Sequence, residues 1–319
     1  MAGAREIRSP SATHHSPAAP LFLAGPTAVG KSEVALWLAE HLGGEIISVD
    51  SMQVYRGLDI GTAKPTAAER ARVPHHLLDV VELTEPFDAA RFCALAAAAV
   101  ADIQARGRVP IFCGGTGLYF KAHLEGLGEA PPADAALRAA LEATPLDALL
   151  RELAERDPTT FAQIDRQNPR RVIRAVEVIR LTGRPFSAQR SAWQDATRNT
   201  QHATQLFVLS RLKPDLDARI NARVDAMFAA GLVAETQSLL ARGLEKNPTA
   251  LQAIGYRQVV EHLRGERSLA ETIELVKLRT RQFAKRQATW FRRQPAVWLE
   301  IGATESVAET AQRIHAARR

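Results

Sequence analysis

The run Gly25-Pro26-Thr27-Ala28-Val29-Gly30-Lys31-Ser32 decides the fold of this chain. It matches the phosphate-binding pattern G-x-x-x-x-G-K-[ST] at each fixed position. Residues 21–24 before it form an apolar run typical of a buried parallel strand, and residues 32–42 after it have helical spacing. In this setting the glycines turn backbone N–H groups towards phosphate oxygens, and the helix N-terminus adds its dipole. We therefore predict phosphate binding here, with Lys31 adding a charge and Ser32 placed to ligate Mg²⁺.

Composition sets broad limits on function. The chain has 319 residues, of which 46% are hydrophobic and 24% charged, as in an ordinary soluble globular protein of one large domain or two. Its net charge of +6 favours a polyanionic partner, nucleic acid before an anionic membrane. Composition alone fits a basic soluble enzyme without such a partner equally well.

The two cysteines and the composition of residues 1–20 bear on where in the cell the protein works. Cys93 and Cys113 are the only cysteines, and they form neither a metal-ligand spacing nor a disulfide framework. No apolar run approaches the length of a membrane span, and residues 1–20 lack the apolar centre of a secretory signal. We expect a cytoplasmic protein without membrane contact, and a disordered tail over residues 1–20.

Two strand ends supply candidate chemistry. A second strand over residues 45–50 ends in Asp50, and a strand over residues 109–113 runs into Gly114, Gly115 and Thr116. Ligands of an open parallel sheet bind at the carboxyl ends of its strands, so both side chains should face the phosphate loop. Asp50 could be a Mg²⁺ ligand, a general base or a cap for the next turn. Thr116 could contact the ligand or cap a plain glycine turn.

The rest of the first half follows an α/β rhythm and then loses it. We predict a third strand over residues 74–81 and a helix over residues 87–104. From about residue 129 the pattern becomes all-helical, with prolines at the starts of the expected helices at 133–142, 145–155, 158–164 and 169–182. A basic stretch there has no acid among its members, Arg166, Arg170, Arg171 and Arg174. Such a stretch is either a solvated face or a contact for a nucleic-acid backbone.

The last third returns to the α/β pattern. We predict a strand over 205–209, helices over 216–230 and 233–242, a helix-breaking segment over 251–257 with an exposed Tyr256, a strand over 297–301 and a helix over 304–317. A capping box at Ser268 and Glu271 opens a long helix to about residue 293. Basic residues and aromatics alternate along that helix, which suits single-stranded nucleic acid. We interpret its Phe283 as a core residue.

These elements predict an α/β fold: a P-loop NTPase-like parallel sheet core with an all-helical insertion domain. The core takes residues 21–128 and 204–319, with the basic helix near its end, and the insertion takes residues 129–203. Three functional classes remain open: a nucleotide-type small-molecule kinase, a transferase that releases pyrophosphate, and a nucleic-acid-binding NTPase switch. The switch is disfavoured because no second Mg²⁺-binding Asp beyond Asp50 is evident.

A set of blocks in this chain resembles the tRNA dimethylallyltransferases, also called tRNA isopentenyltransferases. Besides the phosphate loop, the matching blocks are ISVDSMQVY at 47–55, DIGTAKP at 59–65, GGTGLY at 114–119, NPRR at 168–171, QAIGY at 252–256 and AKRQATWFRR at 284–293. They occur in the family's order between about residues 21 and 301. The zinc-finger extension of some eukaryotic members is absent, which favours the bacterial type.

The resemblance implies transfer of a dimethylallyl group from dimethylallyl diphosphate to N6 of the adenosine that is 3′-adjacent to the anticodon of tRNA. The loop would then hold the diphosphate of the donor rather than ATP. Asp50 would be the general base, Thr116 would bind the departing diphosphate, and Lys31, Ser32 and Mg²⁺ would neutralise its charge. Arg138 matches a basic residue important for activity, and Arg223 is a further diphosphate candidate.

The resemblance also implies contacts with the tRNA anticodon stem-loop, and base extrusion to reach the donor. The matching residues are Asp50, Ser51, Met52, Gln53, Arg170, Arg171, Val172, Ile173, Arg174, Gln252, Ala253, Ile254, Gly255, Tyr256, Arg257, Lys285 and Arg286. We expect a monomer. The kinase alternative would leave the basic helix unexplained.

Overall fold

A computed structural model describes residues 18–127, 131–189 and 205–318. Its sheet has six strands in the order β3-β2-β4-β1-β5-β6, and every pairing between neighbours is parallel. The strands are β1 (Leu21–Ala24), β2 (Gly44–Val49), β3 (His75–His76), β4 (Val109–Gly114), β5 (Leu206–Ser210) and β6 (Val297–Glu300). The predicted α/β class with a parallel sheet is confirmed.

The sheet is accompanied by α-helices. They are α1 (Lys31–Leu42), α2 (Ala67–Arg72), α3 (Ala89–Ala105), α4 (Gly117–Glu125), α5 (Ala135–Glu142), α6 (Leu146–Arg156), α7 (Pro158–Gln163), α8 (Pro169–Thr182), α9 (Lys213–Ala229), α10 (Leu232–Ala241), α11 (Tyr256–Leu263), α12 (Leu269–Phe291) and α13 (Val307–Ala317). Over the described ranges, none of them combines the length and the apolarity that a membrane crossing needs.

The described chain divides into two compact units. The first comprises residues 18–87, 94–116 and 205–318, and the second comprises residues 88–93, 117–127 and 131–189. The second unit thus includes the described part of the insertion predicted at 129–203. Most of the predicted tail, residues 1–17, lies outside the described residues.

Each unit has its own apolar core. In the first, β1 is buried along its whole length, and Leu23 packs in one cluster with Leu38 of α1 and Phe207 of β5. In the second, Leu153 of α6 packs with Val172 and Val176 of α8. Continuous burial on both faces of the central strands is why they read as unbroken apolar runs rather than alternating ones.

One predicted element is wrong, and another is confirmed in part. The strand predicted over 74–81 is only the two-residue β3, because Leu77 and Asp79 have positive φ angles of 62° and 56° that turn the chain out of the sheet. The helix-breaking segment predicted over 251–257 is confirmed as far as Gly255, because a 3₁₀ turn at Ala250–Gln252 and three residues outside any helix precede α11, which begins at Tyr256.

Gly114 permits the closest approach in the sheet. It pairs with Ala24 of β1 and with Val49 of β2. A Cβ atom at this position would lie 2.1 Å from the carbonyl oxygen of Val49, and backbone cannot yield as a flexible side chain does. Glycine is therefore the residue that lets β2 and β4 pair to their carboxyl ends.

We predict that Gly114→Ala lowers the free energy of unfolding by at least the roughly 1–3 kcal/mol typical of overpacking. The measurement is the midpoint of urea unfolding. Gly302→Ala is the matched control, because its Cβ would find its nearest neighbour at an ordinary 3.7 Å. Equal midpoints for the two variants would contradict the packing argument.

Candidate functional site

The register of the strands places the loops that follow β1, β4 and β2 side by side at one edge of the sheet. Ala24, Gly114 and Val49 are partners across β1, β4 and β2, so the chain leaves these strands side by side at Gly25, Gly115 and Asp50. A cleft of about 270 Å³ opens in the first unit beside them. Its polar lining includes Thr27, Asp50, Thr116 and Arg223, and its apolar lining includes Val224, Met227, Ile254 and Val276.

Two arginines hold the phosphate loop by its carbonyl groups. Arg219 Nε donates to the oxygen of Ala28 at 2.9 Å, and Arg211 Nε donates to the oxygen of Val29 at 2.9 Å. The loop then enters α1 through Gly30, whose φ of 105° is left-handed and which supplies no side-chain cap. The N–H groups of the first turn of α1 therefore have no side-chain acceptor at the N-cap and suit an anion.

Lys31 is a partly buried cation. Its Nζ donates to the carbonyl oxygen of Pro26 at 3.2 Å. Burial lowers the pKa of Lys31, and Arg223 lowers it further, while Cys113, Asp50 and Glu33 partly offset the shift. A cation held in this way gains from an anionic ligand, because the ligand replaces the solvation that burial removed.

Arg223 is the further diphosphate candidate that the resemblance implies. It lines the cleft, and its Nη1 donates to Thr27 Oγ1 over a long 3.4 Å. Burial lowers the pKa of Arg223, with neighbouring Arg219 adding to the shift and Glu33 opposing it. Arg223 and Lys31 thus concentrate positive charge beside Thr27.

Asp50 takes one of the three roles that its position allowed, the cap of the next turn, through only one of its oxygens. Its Oδ1 accepts the N–H groups of Met52 at 2.8 Å and Gln53 at 3.3 Å, as a turn-capping carboxylate does. Across the described chain, no protein donor bonds Oδ2, and Asp50 lines the cleft. One oxygen therefore fixes the orientation of the carboxylate, and the other is available to a ligand.

Thr116 is held close to Asp50 by a hydrogen bond to the backbone of Ser51, the residue after Asp50. Its Oγ1 accepts the N–H of Ser51 at 3.1 Å. A hydroxyl that accepts one hydrogen bond still has its own proton to donate, and Thr116 lines the cleft. The two strand-end residues predicted from the sequence are thus brought together.

The candidate tRNA residues of the first unit have different surroundings. Ser51, Met52, Gln252, Ala253 and Ile254 line the cleft. Gln53 is committed internally, since its Oε1 accepts from Ser48 and its Nε2 donates to the carbonyls of Thr62 and Ala63. Gly255 has a φ of 104° at the start of α11, and the exposed Arg257 pairs with Glu261.

The expectation of an exposed Tyr256 is wrong. Its side chain is fully buried, its hydroxyl donates to Glu235 Oε1 at 2.6 Å and accepts the N–H of Gly61 at 3.1 Å. Burial raises the pKa of Tyr256 far above its usual range, with Glu235 adding to the shift. Tyr256 therefore supports the loop at Gly61 and does not offer its ring to RNA.

The basic helix α12 presents part of one face to the cleft. Lys285 and Arg286 are exposed, and Arg286 lines the cleft with its guanidinium 5.8 Å from the ring centroid of Phe283. The interpretation of Phe283 as a core residue is wrong, because it is 37% exposed and lines the same cleft. Phe291 is the buried aromatic of this helix.

The second unit holds the remaining candidates. Glu177 is completely buried, and its Oε2 accepts from Arg138 Nη2 at 2.5 Å and from Arg174 Nη1 at 2.7 Å. Arg174 therefore does have an acid one turn away along α8. Val172 is fully buried in the core of this unit, so its side chain cannot contact RNA as the resemblance implied.

The other members of that segment are more accessible. Arg170 and Arg171 are exposed, and Ile173 is partly buried against the core of the unit. The N-terminal end of α8 therefore offers a basic surface from Arg170 and Arg171, with Arg174 held by Glu177 one turn further on.

Sequence reasoning missed several residues that shape the cleft. Arg211 comes directly after β5, and this position at a strand end is a signal that could have found it, whereas Arg219 lies within α9. Gln287 contacts Thr27 across 260 residues of chain, and no local pattern predicts that contact. Glu235 also accepts the N–H of Ile60 at 3.0 Å, again without a local signal.

The residues near the phosphate loop suit Mg²⁺ only if the ion is also bound by a phosphate ligand and by water. Ser32 is exposed at the start of α1, and its hydroxyl has no protein partner among the residues described. The described ranges contain no group of three or more His, Cys, Asp or Glu side chains that could hold a metal ion. Mg²⁺ commonly keeps several waters and takes one or two protein ligands plus phosphate oxygens, which this hydroxyl suits.

The sheet, the loop and the cleft define a phosphate-loop protein with an acid, Asp50, beside the loop. The family model of IPP transferase matches residues 53–294. The chain is 50% identical over 284 residues to the tRNA dimethylallyltransferase of Anaeromyxobacter dehalogenans, covering 88% of this chain and 94% of the relative. It is 49% identical over 281 residues to tRNA dimethylallyltransferase 1 of Trichlorobacter lovleyi, covering 87% and 92%.

Solved structures agree with this match. The tRNA isopentenylpyrophosphate transferase of Bacillus halodurans aligns with a TM-score of 0.67 and 38% identity, covering 94% of this chain and 96% of that one. A eukaryotic dimethylallyltransferase acting on tRNA aligns with a TM-score of 0.76 and 26% identity, covering 95% and 80%. The chain belongs to the IPP transferase family of tRNA dimethylallyltransferases, and this membership decides against the kinase alternative.

We predict that pyrophosphate binding takes up protons at Lys31. Burial lowers its pKa in the free protein, and the anion favours the charged form. The affinity should fall as the pH rises from the lowered pKa towards the ordinary lysine value of about 10.4. Calorimetry in buffers of different ionisation enthalpy measures the uptake. Lys31→Met corrects for the titration of pyrophosphate itself, and equal uptake by both proteins would contradict the prediction.

We predict that Glu177→Ala lowers the free energy of unfolding by about 1–3 kcal/mol, the cost of leaving hydrogen-bonded partners unsatisfied. The cost is limited because the guanidinium groups of Arg138 and Arg174 can turn to water. The midpoint of urea unfolding measures it. Glu155→Ala on the exposed face of α6 is the control, and a midpoint as high as that of this control would refute the role of Glu177.

Proposed function

We propose that this chain transfers a dimethylallyl group from dimethylallyl diphosphate to N6 of the adenosine 3′-adjacent to the anticodon in tRNA. Family membership carries the reaction class, transfer of a dimethylallyl group to a tRNA adenosine. The proposal adds the donor, the accepting atom and the roles of individual residues. Its main support is the meeting of Asp50, Thr116 and the phosphate loop at one cleft.

Asp50 is the proposed general base. N6 of adenine attacks the allylic carbon bonded to the diphosphate oxygen, so a C–N bond forms while the C–O bond breaks. The proton of N6 passes to Oδ2 of Asp50, the oxygen that no protein donor bonds among the described residues. Its other oxygen stays on the N–H groups of Met52 and Gln53, which keeps the carboxylate oriented during the transfer.

The phosphate loop and its neighbours are proposed to receive the leaving group. Negative charge grows on the diphosphate as the C–O bond breaks. In this proposal Lys31, Arg223 and the N–H groups at the start of α1 stabilise that charge, and the Thr116 hydroxyl donates to the departing oxygen. The cleft lining, which includes Arg223 and Thr116, and the uncapped start of α1 support these roles. Arg211 and Arg219 hold the loop in shape, so little reorganisation is needed when the charge develops.

We propose Mg²⁺ as the cofactor, with Ser32 as its protein ligand. When bound, the ion would supply further charge neutralisation for the diphosphate. The accessible Ser32 hydroxyl at the end of the loop supports this assignment.

The proposed acceptor is the anticodon stem-loop of tRNA. In the first unit, Ser51, Met52, Gln252 and Arg286 line the cleft in which the extruded adenosine would react. In the second unit, the exposed Arg170 and Arg171 are proposed to contact its phosphate backbone. We place this activity in the cytoplasm, where unmodified tRNA is found, and propose that a single copy of the chain suffices.

Arg138 is held in place by the buried carboxylate of Glu177. Both Arg138 and Arg174 donate to that buried carboxylate, so each holds part of its guanidinium in a fixed place. Fixed arginines bind phosphate groups with less loss of side-chain freedom than mobile ones. We propose that Arg138 contacts a phosphate of one of the substrates.

We predict that Asp50→Asn lowers kcat about 10²- to 10⁴-fold, the usual contribution of a general base, without weakening donor binding. Asparagine keeps an oxygen that can accept from Met52 and Gln53, so the turn survives while the proton acceptor is lost. The assay follows transfer of labelled dimethylallyl groups to unmodified tRNA in the presence of Mg²⁺.

Asp102→Asn is the control for this experiment, because Asp102 is 61% exposed on α3 and makes a surface ion pair. Transfer by Asp50→Asn at the rate of this control would remove Asp50 as the base. No transfer by the unaltered chain would overturn the proposed function itself.

A further inference from the structure

We infer that Gln287 is a positioning residue that sets both the Lys31 ammonium and the Thr116 hydroxyl for the diphosphate. The inference rests on the proposed function, since it concerns the same ligand. Gln287 lies on α12, and it is 8% exposed although it is a long polar side chain. A buried amide of this kind costs stability unless both of its ends are bonded.

Both ends of the amide are bonded, and to different loops. Oε1 of Gln287 accepts the N–H of Thr27 at 2.9 Å, and Nε2 donates to the carbonyl oxygen of Gly115 at 2.9 Å. The partners fix which end is which, because an N–H requires an acceptor and a carbonyl requires a donor. A side chain from α12 therefore joins the phosphate loop to the chain that follows β4.

The bond to Thr27 fixes the peptide plane that faces Lys31. The N–H of Thr27 and the carbonyl of Pro26 belong to one planar trans peptide, in which they point in opposite directions. That carbonyl accepts from Lys31 Nζ at 3.2 Å. By accepting the N–H, Gln287 fixes where the carbonyl points and hence where the ammonium is held.

The bond to Gly115 fixes the peptide plane that carries Thr116. The carbonyl of Gly115 and the N–H of Thr116 share one peptide, whose N–H donates to the carbonyl of Val49 at 3.2 Å. With Val49 on one side and Gln287 on the other, this plane cannot rotate. The approach is tight, since a Cβ on Gly115 would come within 2.2 Å of Nε2.

Gln287 also ties these planes to the helix that lines the cleft on another side. Arg286, the preceding residue, lies in the lining of the cleft, while Gln287 points inward. One amide thus sets the relative positions of two groups that act on the same leaving group. This geometry predicts effects on both donor affinity and rate, which a residue that merely fills space would not give.

Gln287→Met tests the role, since methionine keeps the length of the side chain and loses both hydrogen bonds. At roughly one tenfold factor for each bond, kcat/KM for dimethylallyl diphosphate should fall about 10- to 100-fold. Both KM for the donor and kcat should change, while KM for tRNA stays the same. Calorimetry with inorganic pyrophosphate should give the corresponding loss of affinity.

Gln287→Glu supplies a second readout that a general folding defect would not produce. Its carboxylate can accept from Thr27 but repels the carbonyl of Gly115, whereas its protonated form has both a donor and an acceptor, like the amide. The ratio of variant to unaltered affinity for pyrophosphate should therefore rise as the pH falls through the pKa of the new carboxyl group. Gln282→Glu, at an exposed position of α12, is the control and should show a flat ratio.

The outcomes separate the two proposals. If the unaltered chain binds pyrophosphate and the Gln287 variants match it in KM, kcat and affinity, the positioning role is overturned and the proposed function stands. If Gln287→Met does not fold, a flat pH ratio for Gln287→Glu overturns the role. If the unaltered chain binds no pyrophosphate and transfers no dimethylallyl group, the proposed function is overturned.

Discussion

The parallel pairing of β4 with both β1 and β2 is the constraint on which the rest of this site depends. Because Gly114 lies level with Ala24 and Val49, the three loops that follow begin at one height on one edge of the sheet. The alignment needs a residue without a side chain, since the carbonyl of Val49 occupies the place of a Cβ. A phosphate loop, a carboxylate and a hydroxyl that are far apart in the chain thereby share one cleft.

Around that edge the chain places polar groups in two layers. Arg223, Asp50 and Thr116 line the cleft, and Lys31 bonds the adjacent phosphate loop. Behind them, Arg211, Arg219 and Gln287 bond the backbone of the phosphate loop and of the segment after β4, and Glu235 bonds the backbone at Ile60. The outer layer uses side-chain atoms on carbonyl and N–H groups, so it fixes peptide planes rather than side chains. Electrostatic stabilisation of a leaving group depends on groups that are already oriented before charge develops.

The sequence predicts the inner layer much better than the outer one. The loop at 25–32 is a local motif, and Asp50 and Thr116 follow from the rule that parallel strands present their carboxyl ends together. Tyr256 and Phe283 were misjudged because aromatic exposure depends on distant partners, here Glu235 and Gly61 for Tyr256. No local sequence pattern marks Gln287, because its two hydrogen-bond partners, Thr27 and Gly115, lie on two other segments of the chain.

The way in which Arg211 and Arg219 hold the phosphate loop has a consequence for folding. They occupy carbonyl groups of the loop, while the N–H groups at the start of α1 have no side-chain cap at Gly30, beside a lysine whose charge burial already disfavours. These N–H groups and the Lys31 ammonium are donors that an anion can occupy. An anion that occupies them stabilises the native state by mass action, in proportion to the logarithm of its concentration over its dissociation constant. Ligand affinity thus adds to the stability of the free fold, and a mutation that improved the free fold by occupying those donors would weaken anion binding.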